Sequence, residues 1–529
     1  MKKILLTTVA VLFGIELNAQ VSVWDGSSEP WTNGSGTEAD PYLIESVQNL
    51  AYLAEKTNES IYDGNEYRIM YADTCFLLTV DLDFGANAGL QWEPIGACGA
   101  TWWKGRFGGN FDGGGHTVSN LTIANDIADF FGIFGYMEGG SLKNIVVDGD
   151  ELHIPVIYSY TQGPSGIILG YGSNVTIENC ANKTDVVWDR ISMEMGGCHL
   201  GGLFGSLYNS TIIDCHNYGD ITAPEVVLYY KGAFCGGIAG KLTNCDVTDC
   251  GNYGDINITK GDCFAVHIVA AGGIAGYMTG TITNCNNNGD VFFEMSVDNY
   301  EDVKSAGGII GYTNSSFSNF LTIMNCYSIS DINVGGDTNP AWAGGIIGYI
   351  ADTISVSVMN CYSANSMSAD NIGGIVASAN EYTSANNSYY LNTTPLTNSY
   401  GTPKAESEMK TMEFVELLNN GDNIYAMDDL GFNDGYPIFA QYYSVDENAT
   451  TNSIFVYPNP AENVVYVSFA DDTSCQSVEI YSVDGRIVET YGRSPLQTEI
   501  DMSSLESGVY ILKVSMADGR VFTERIVKE

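Results

Sequence analysis

The residues of this chain that could do chemistry are its acids, five histidines and thirteen cysteines, and their spacing sorts them. Asp220, Asp255, Asp290 and Asp331 recur at intervals of 35, 35 and 41 residues. Carboxylates that move protons or attack a glycosidic carbon must converge in pairs on one site. Acids that return once per repeat occupy the same place in successive units, which is what a structural turn produces. The histidines are His116, His153, His199, His216 and His267, and no His-Glu-x-x-His sequence joins any of them. Neither a Gly-x-Ser-x-Gly elbow nor a phosphate-binding loop occurs in a strand-to-helix context. His116 follows Gly114-Gly115 and reads as part of a turn. No catalytic, cofactor-binding or metal-binding residue is assigned, and no cofactor is expected. Asp81 and Asp83 are candidate calcium ligands by residue type alone, because their spacing is not that of an EF-hand loop.

The cysteines mark a repeat. Cys180, Cys215, Cys250, Cys285, Cys326 and Cys361 each follow Asn or Asp, at intervals of 35, 35, 35, 41 and 35 residues. Aligning on them brings Gly201-Gly202-Leu203-Phe204-Gly205 into register with four later copies, the last at Gly344-Gly345-Ile346-Ile347-Gly348. It also aligns Asn217-Tyr218-Gly219-Asp220 with Asn252-Tyr253-Gly254-Asp255 and Asn287-Asn288-Gly289-Asp290. Each unit reads as about three short extended segments separated by Gly, Asn and Asp. Alone, no unit can bury a core; stacked at about 4.8 Å, equivalent strands pair and Ile lies over Ile and Cys over Cys. The fold expected is mainly β, a parallel β-helix or β-solenoid of about 35-residue repeats. The cysteines are expected to pack inside as unpaired thiols. In-register Cβ atoms about 4.8 Å apart exceed the usual disulfide separation. Cys198, Cys235, Cys245 and Cys263 lie off this ladder, and pairing among them is left open.

Charge narrows the partners. With 21 basic and 64 acidic residues the net charge is 21 − 64 = −43, which argues against nucleic acid, since a binder must neutralise phosphates with clustered Lys and Arg. Residues 1–19 read as a signal peptide: Lys2 and Lys3, then an apolar run from Ile4 to Ile15, then cleavage between Ala19 and Gln20. No later stretch reaches eighteen uninterrupted apolar residues, so no integral membrane helix is expected.

The Gly-Leu-Phe-Gly of 202–205 and its Gly-Ile-Ala-Gly and Gly-Ile-Ile-Gly relatives resemble the GLUG motif of bacterial surface proteins, over about 129–400. Residues 20–128 resemble the lead-in of such proteins. A helix at about Val47 to Lys56, with Leu50, Leu53 and Ala54 on its apolar face, is expected to cap the solenoid end. Residues 401–445, with a helix from Glu406 to Asn419 stopped by Asn420-Gly421, are expected to close the other end, and 446–453 to form a linker.

From 454 the glycine period stops and alternating strands appear: Val464 to Phe469, Ser477 to Ser482 and Gly508 to Ser515. Asp484-Gly485 and Asp518-Gly519 are hairpin signals. A small Ig-like β-sandwich is expected over 454–529. This module resembles the type A C-terminal sorting domain of the type IX secretion system, on Pro458-Asn459-Pro460, Asp484-Gly485-Arg486 and the stretch containing Gly508 and Tyr510. The resemblance implies handling by the type IX machinery and a sortase-like enzyme, and a location on the outer surface of a Gram-negative bacterium.

A recognition surface is expected in the variable stretches, because the rungs of a repeat carry the fold and the loops on its flank carry contacts. Those stretches hold Trp188, Tyr229, Tyr230, Phe292, Tyr300 and Trp342, which could stack on sugars or anchor a protein or simply cover the flank. The leading expectation is a non-enzymatic adhesin that binds a glycan or an extracellular protein. The alternatives are a polysaccharide-degrading β-helix enzyme, which needs carboxylates clustered off the repeat register in a groove, and a structural surface-layer component.

Overall fold

A computed structural model describes residues 21–440 other than 60–67, 86–89, 98–104, 124–129 and shorter loop stretches, together with the strands of the C-terminal module and Met502, Ser503 and Leu505. The expected signal peptide and its expected cleavage between Ala19 and Gln20 lie outside the described residues. The chain divides into two compact units, Met1–Phe439 and Ala440–Glu529.

In the first unit a coil of chain holds up to six short strands rather than the three read from the sequence. One coil runs through Cys198–Gly201, Phe204–Tyr208, Thr211–Ile213, His216–Asn217, Ile221–Ala223 and Val226–Leu228. The extra strands arise because a two- or three-residue segment needs no hydrophobic run of its own when its copies in adjacent coils supply every ladder hydrogen bond. Each strand pairs in parallel with its equivalent one coil along, for example Ile221 with Ile256 and Ile256 with Val291. Two of the sheets hold seven strands each, one per coil. A single apolar core runs from Trp24 to Tyr390, so the lead-in belongs to the same solenoid. Its helix α1 (Val47–Asn58) starts at Ser46, whose hydroxyl accepts the Asn49 N–H at 3.1 Å, and buries Val47, Leu50 and Leu53 in that core.

Ladders of identical side chains hold the corners. Asn182, Asn217, Asn252 and Asn287 are fully buried. Each donates through Nδ2 both to a carbonyl two residues ahead and to the next coil's side chain, at 2.7–3.0 Å. The last of these contacts goes to Ser330 Oγ. This ladder couples the two sequence motifs: a Cβ on Gly237 would stand 2.2 Å from Cγ of Asn252, so the double glycine leaves room for the asparagine across the core. Gly254 is required for a second reason, since its Cβ would meet the Gly219 carbonyl at 2.1 Å.

The cysteines do corner work as well. The residue before each is left-handed, as at Asp214 (φ 52°) and Asn284 (φ 53°), and this turns the following N–H out of the regular ladder. That N–H finds sulfur instead: Cys215, Cys250 and Cys285 each donate to the next coil's Sγ at 3.4 Å and Cys326 to that of Cys361 at 3.3 Å. Ser388 Oγ takes the same role for Cys361. All six ladder cysteines are buried and unpaired, as are Cys235 and Cys245 off the ladder, and Cys198 is buried as well. The side chain of Cys263 lies outside the description. Burial pushes the thiols of Cys215, Cys285 and Cys361 well above their ordinary pKa, and that of Cys235 up to about 12.

The expected closing helix is two helices, α2 (Glu406–Met409) and α3 (Met412–Asn419), broken where Thr411 caps the second. With Tyr425, Tyr436 and Phe439 they cover a flank formed by the outward rings of Tyr327, Tyr362 and Tyr389 in successive coils, while Leu396 and Tyr400 pack against the core. Asn433 fastens this strap, donating to the Tyr362 hydroxyl at 2.8 Å and accepting from Asn288 at 2.8 Å.

The C-terminal unit has two antiparallel sheets, one of Ile454–Tyr457, Val464–Phe469 and Gln497–Asp501, the other of Ile487–Tyr491, Cys475–Ser482, Gly508–Met516 and Val521–Lys528. Val465, Val467 and Ile500 of the first share a buried cluster with Val478, Ile480, Leu512 and Val514 of the second. The two Asp-Gly signals fall between strands that do pair as hairpins.

Replacing Asn252 with Ala should leave Asn217, Asn287 and the Gly254 carbonyl short of a partner and lower the unfolding free energy by about 1–3 kcal/mol, read as a fall in urea midpoint at constant slope. Thiol mapping by mass spectrometry on the native chain should label Cys75, the one half-buried thiol among the ten cysteines whose side chains are described, well before the other nine.

Candidate functional site

The repeat absorbs most of its own acids. Asp185, Asp220, Asp255 and Asp290 form a column in which each Oδ1 accepts the N–H of the next coil's aspartate at 2.7–2.8 Å, ending at Asp331. Burial, reinforced by its Asp255 and Asp185 neighbours, raises the pKa of Asp220. This is the geometry of a structural turn. His116 Nδ1 lies 3.1 Å from Asp81 Oδ1, which also accepts the Thr117 N–H at 2.9 Å. Asp83 Oδ1 accepts from Gly85 N and from Asn120 Nδ2, both at 2.8 Å. Both candidate calcium ligands therefore hold internal hydrogen bonds.

A groove of about 750 Å³ opens on the outer face of the first coils. Its floor is built from four parallel strands, Cys75–Leu78, Asn110–Asp112, Ser141–Lys143 and Thr176–Glu178. Strand alternation sends Phe76, Phe111, Leu142 and Ile177 into the core and leaves two outward columns. One is Cys75, Asn110, Ser141 and Thr176; the other is Leu77, Asp112, Lys143 and Glu178. Glu38, Pro41 and Asp73 complete the lining. Asp73 and Tyr71 both sit at φ 61° in the turn that precedes the first floor strand, a left-handed conformation rare for a ring-bearing residue.

Inside the groove Asp112 is the fixed point. Its Oδ1 accepts from Asn144 Nδ2 at 2.8 Å and from Gly114 N at 2.9 Å, and its Oδ2 faces Lys143 Nζ at 3.3 Å. Partial burial opposes its ionisation, but these three donors outweigh burial and hold its pKa below the ordinary value. Ser141 Oγ donates to Asn110 Oδ1 at 2.8 Å, and the Asn110 amide points at the Cys75 sulfur 3.9 Å away. Glu38, Asp73 and Glu178 are exposed and make no ion pair among the described residues. An ionised, tethered carboxylate surrounded by amide, hydroxyl and further carboxylate groups is suited to accept hydrogen bonds from a ligand's hydroxyls or amines. Proton transfer calls instead for a carboxyl held near neutrality.

The aromatic residues expected to touch a ligand fare differently. Trp188 is fully buried (0% exposed) in the apolar core, a correction: its strand places Val186 and Trp188 on the inner face and Val187 outside. Phe292 and Trp342 are half-buried on the outer face, Trp342 packing edge-on to Tyr349 at 5.0 Å. Tyr229, Tyr230 and Tyr300 lie outside the described residues, as do Pro458, Asn459, Pro460, Asp484, Gly485 and Arg486. In the C-terminal unit Gly508 pairs with Lys528, and Tyr510 is buried opposite Ile526 and Ser482. Cys75, Asn110, Asp112 and Ser141 were missed because their coils carry no Asn-Cys marker, whereas Thr176 and Glu178 directly precede the first one, Asn179-Cys180. The only signal was spacing: Cys75, Asn110, Ser141 and Thr176 are 35, 31 and 35 residues apart.

Residues 455–529 match the family described as Secretion system C-terminal sorting domain. Two curated relatives each resemble a part of the chain. Halomucin of Haloquadratum walsbyi is 30% identical over 207 residues, 36% of this chain and 2% of that protein. A protein of Evansella cellulosilytica named as a putative Gly-rich membrane protein is 29% identical over 161 residues, 30% of this chain and 17% of its own. The chain thus spans a small part of either relative. The sorting domain indicates export by type IX secretion to the cell surface, and among the described residues no helix is long and apolar enough to cross a membrane.

Asp112 should make the chain acid-sensitive with a definite sign. Because its folded pKa is depressed, its contribution to stability is present above the unfolded value of about 3.9 and is lost as pH falls through the lower folded value. The stability gap between wild type and Asp112→Asn, measured by urea titration, should be constant from neutral pH to about 5 and shrink progressively below about 4.

Proposed function

We propose that this chain is a cell-surface adhesin, a stiff solenoid that presents the groove of its first coils to a ligand and does not cleave it. One observation carries the reading: Glu38, Asp73 and Glu178 stand unpaired around a concave site, while the acids of the repeat are consumed by its own N–H groups. A pocket with a few convergent polar groups on a rigid sheet is the default place for recognition. The sorting domain supports display on the outer surface, with a sortase-like enzyme as the partner that removes it. The likeness to the GLUG motif of surface proteins points the same way.

The test is a glycan and extracellular-matrix array probed with the full chain, alongside a reducing-sugar assay on the same glycans. Binding without sugar release is expected. Thr176→Tyr, which keeps a strand-favouring residue while filling the groove, should weaken that binding by about tenfold or more with melting temperature unchanged. Sugar release would replace the adhesin by a polysaccharide-degrading enzyme, and undiminished binding by Thr176→Tyr would move the contact away from the groove.

A further inference from the structure

The groove's long axis and its charge say what kind of ligand it fits. We infer that the ligand is a linear polysaccharide bearing free amino groups, lying along the solenoid axis across the strands; this rests on the groove being the binding site.

Three observations lead there. First, the groove crosses four strands, so its floor is about 14 Å long at about 4.8 Å per strand. That is a trough with an axial repeat close to the advance of one sugar in an extended β-linked chain. Second, the groove contains four carboxylates, Glu38, Asp73, Asp112 and Glu178, against one ammonium, Lys143, which is already paired with Asp112. On a chain of net charge −43 this repels polyuronates and favours a polycation, and desolvated carboxylates reject a ligand that leaves them unpaired. Third, the floor is not closed beyond Thr176. The same outward column continues through Thr211 and, after Asp246, through Thr281, Thr322, Ser357 and Ser384, each registered on the last. Strand propensity alone does not produce this: the equivalent outward positions of a neighbouring sheet read Val187, Thr222, Asn257, Phe292 and Asn333. A hydroxyl-lined extension of a groove suits a polymer better than a compact molecule.

A basic polypeptide would share the attraction of the carboxylates, and what separates it from this occupant is the column of Thr and Ser hydroxyls, which a sugar chain's own hydroxyls can pair along its length. Isothermal titration of the full chain with glucosamine oligomers, their N-acetylated counterparts, polylysine and polygalacturonate tests the inference at physiological salt. The glucosamine decasaccharide should bind more tightly than the trisaccharide, N-acetylation should weaken binding by about tenfold, and polygalacturonate should not bind. The double variant Glu38→Gln/Glu178→Gln, both at exposed positions, should weaken the glucosamine ligands while leaving melting unchanged. Equal binding of the N-acetylated oligomers, or tighter binding of polylysine than of the glucosamine polymer, would overturn the assignment of ligand class. No gain from trisaccharide to decasaccharide would overturn the axial placement. Each of those results leaves the groove itself as a binding site, whereas glucosamine binding unaffected by Thr176→Tyr would remove the premise.

Discussion

Everything in the solenoid depends on one constraint: a side chain at a given corner has its own copy as its neighbour, one coil away. Like must therefore bond to like. Asparagine meets this condition without strain, because its amide donates on one side and accepts on the other, so Asn182 through Asn287 form a continuous buried chain of hydrogen bonds. A thiol meets it more weakly, accepting from the neighbouring coil's backbone N–H while its own S–H points to the carbonyl two residues before it. Aspartate does not, since two carboxylates repel; the column from Asp185 to Asp331 holds because each oxygen binds a backbone N–H rather than its own kind.

The same constraint explains where the architecture changes. After Asn287 the inner position becomes Ser328 and then Ser363, and the polar interior is completed by Ser330 and Asn365, whose amide reaches Ser328 Oγ and Ser330 Oγ. At the outer flank of the same coils the registered residues become Tyr327, Tyr362 and Tyr389. A column of outward rings exposes apolar area to water, and the strap of α2 and α3 removes it. Stacking thus creates both the interior and the surface that the returning chain must cover.

The proposed binding groove lies where repetition is weakest. Within the repeat the asparagine and aspartate ladders satisfy their own polar groups from coil to coil, so an exported scaffold can be long and acidic. In the first coils the outward columns carry different residues on each strand, and the exposed carboxylates of Glu38, Asp73 and Glu178 line the groove. The C-terminal unit matches a sorting domain, which indicates delivery to the cell surface.

The sequence by itself determined the repeat, its period, the residues at the corners, the burial of the cysteines, the helix α1 and the strands of the C-terminal module. These are local or strictly periodic signals: a left-handed turn demands Asn, Asp or Gly wherever it sits, and a fixed offset survives in one dimension. Three things were decided only by the tertiary structure. Strand alternation in two- and three-residue segments is too short to show a period, so nothing in the sequence said that Trp188 faces inward while Val187 faces out. The amphipathic pattern of Glu406 to Asn419 announced a buried face but not the tyrosine flank that it covers. The groove joins residues from four strands and two turns spread over 141 positions, Glu38 to Glu178, and only stacking the coils brings Asp112, Lys143 and Glu178 side by side.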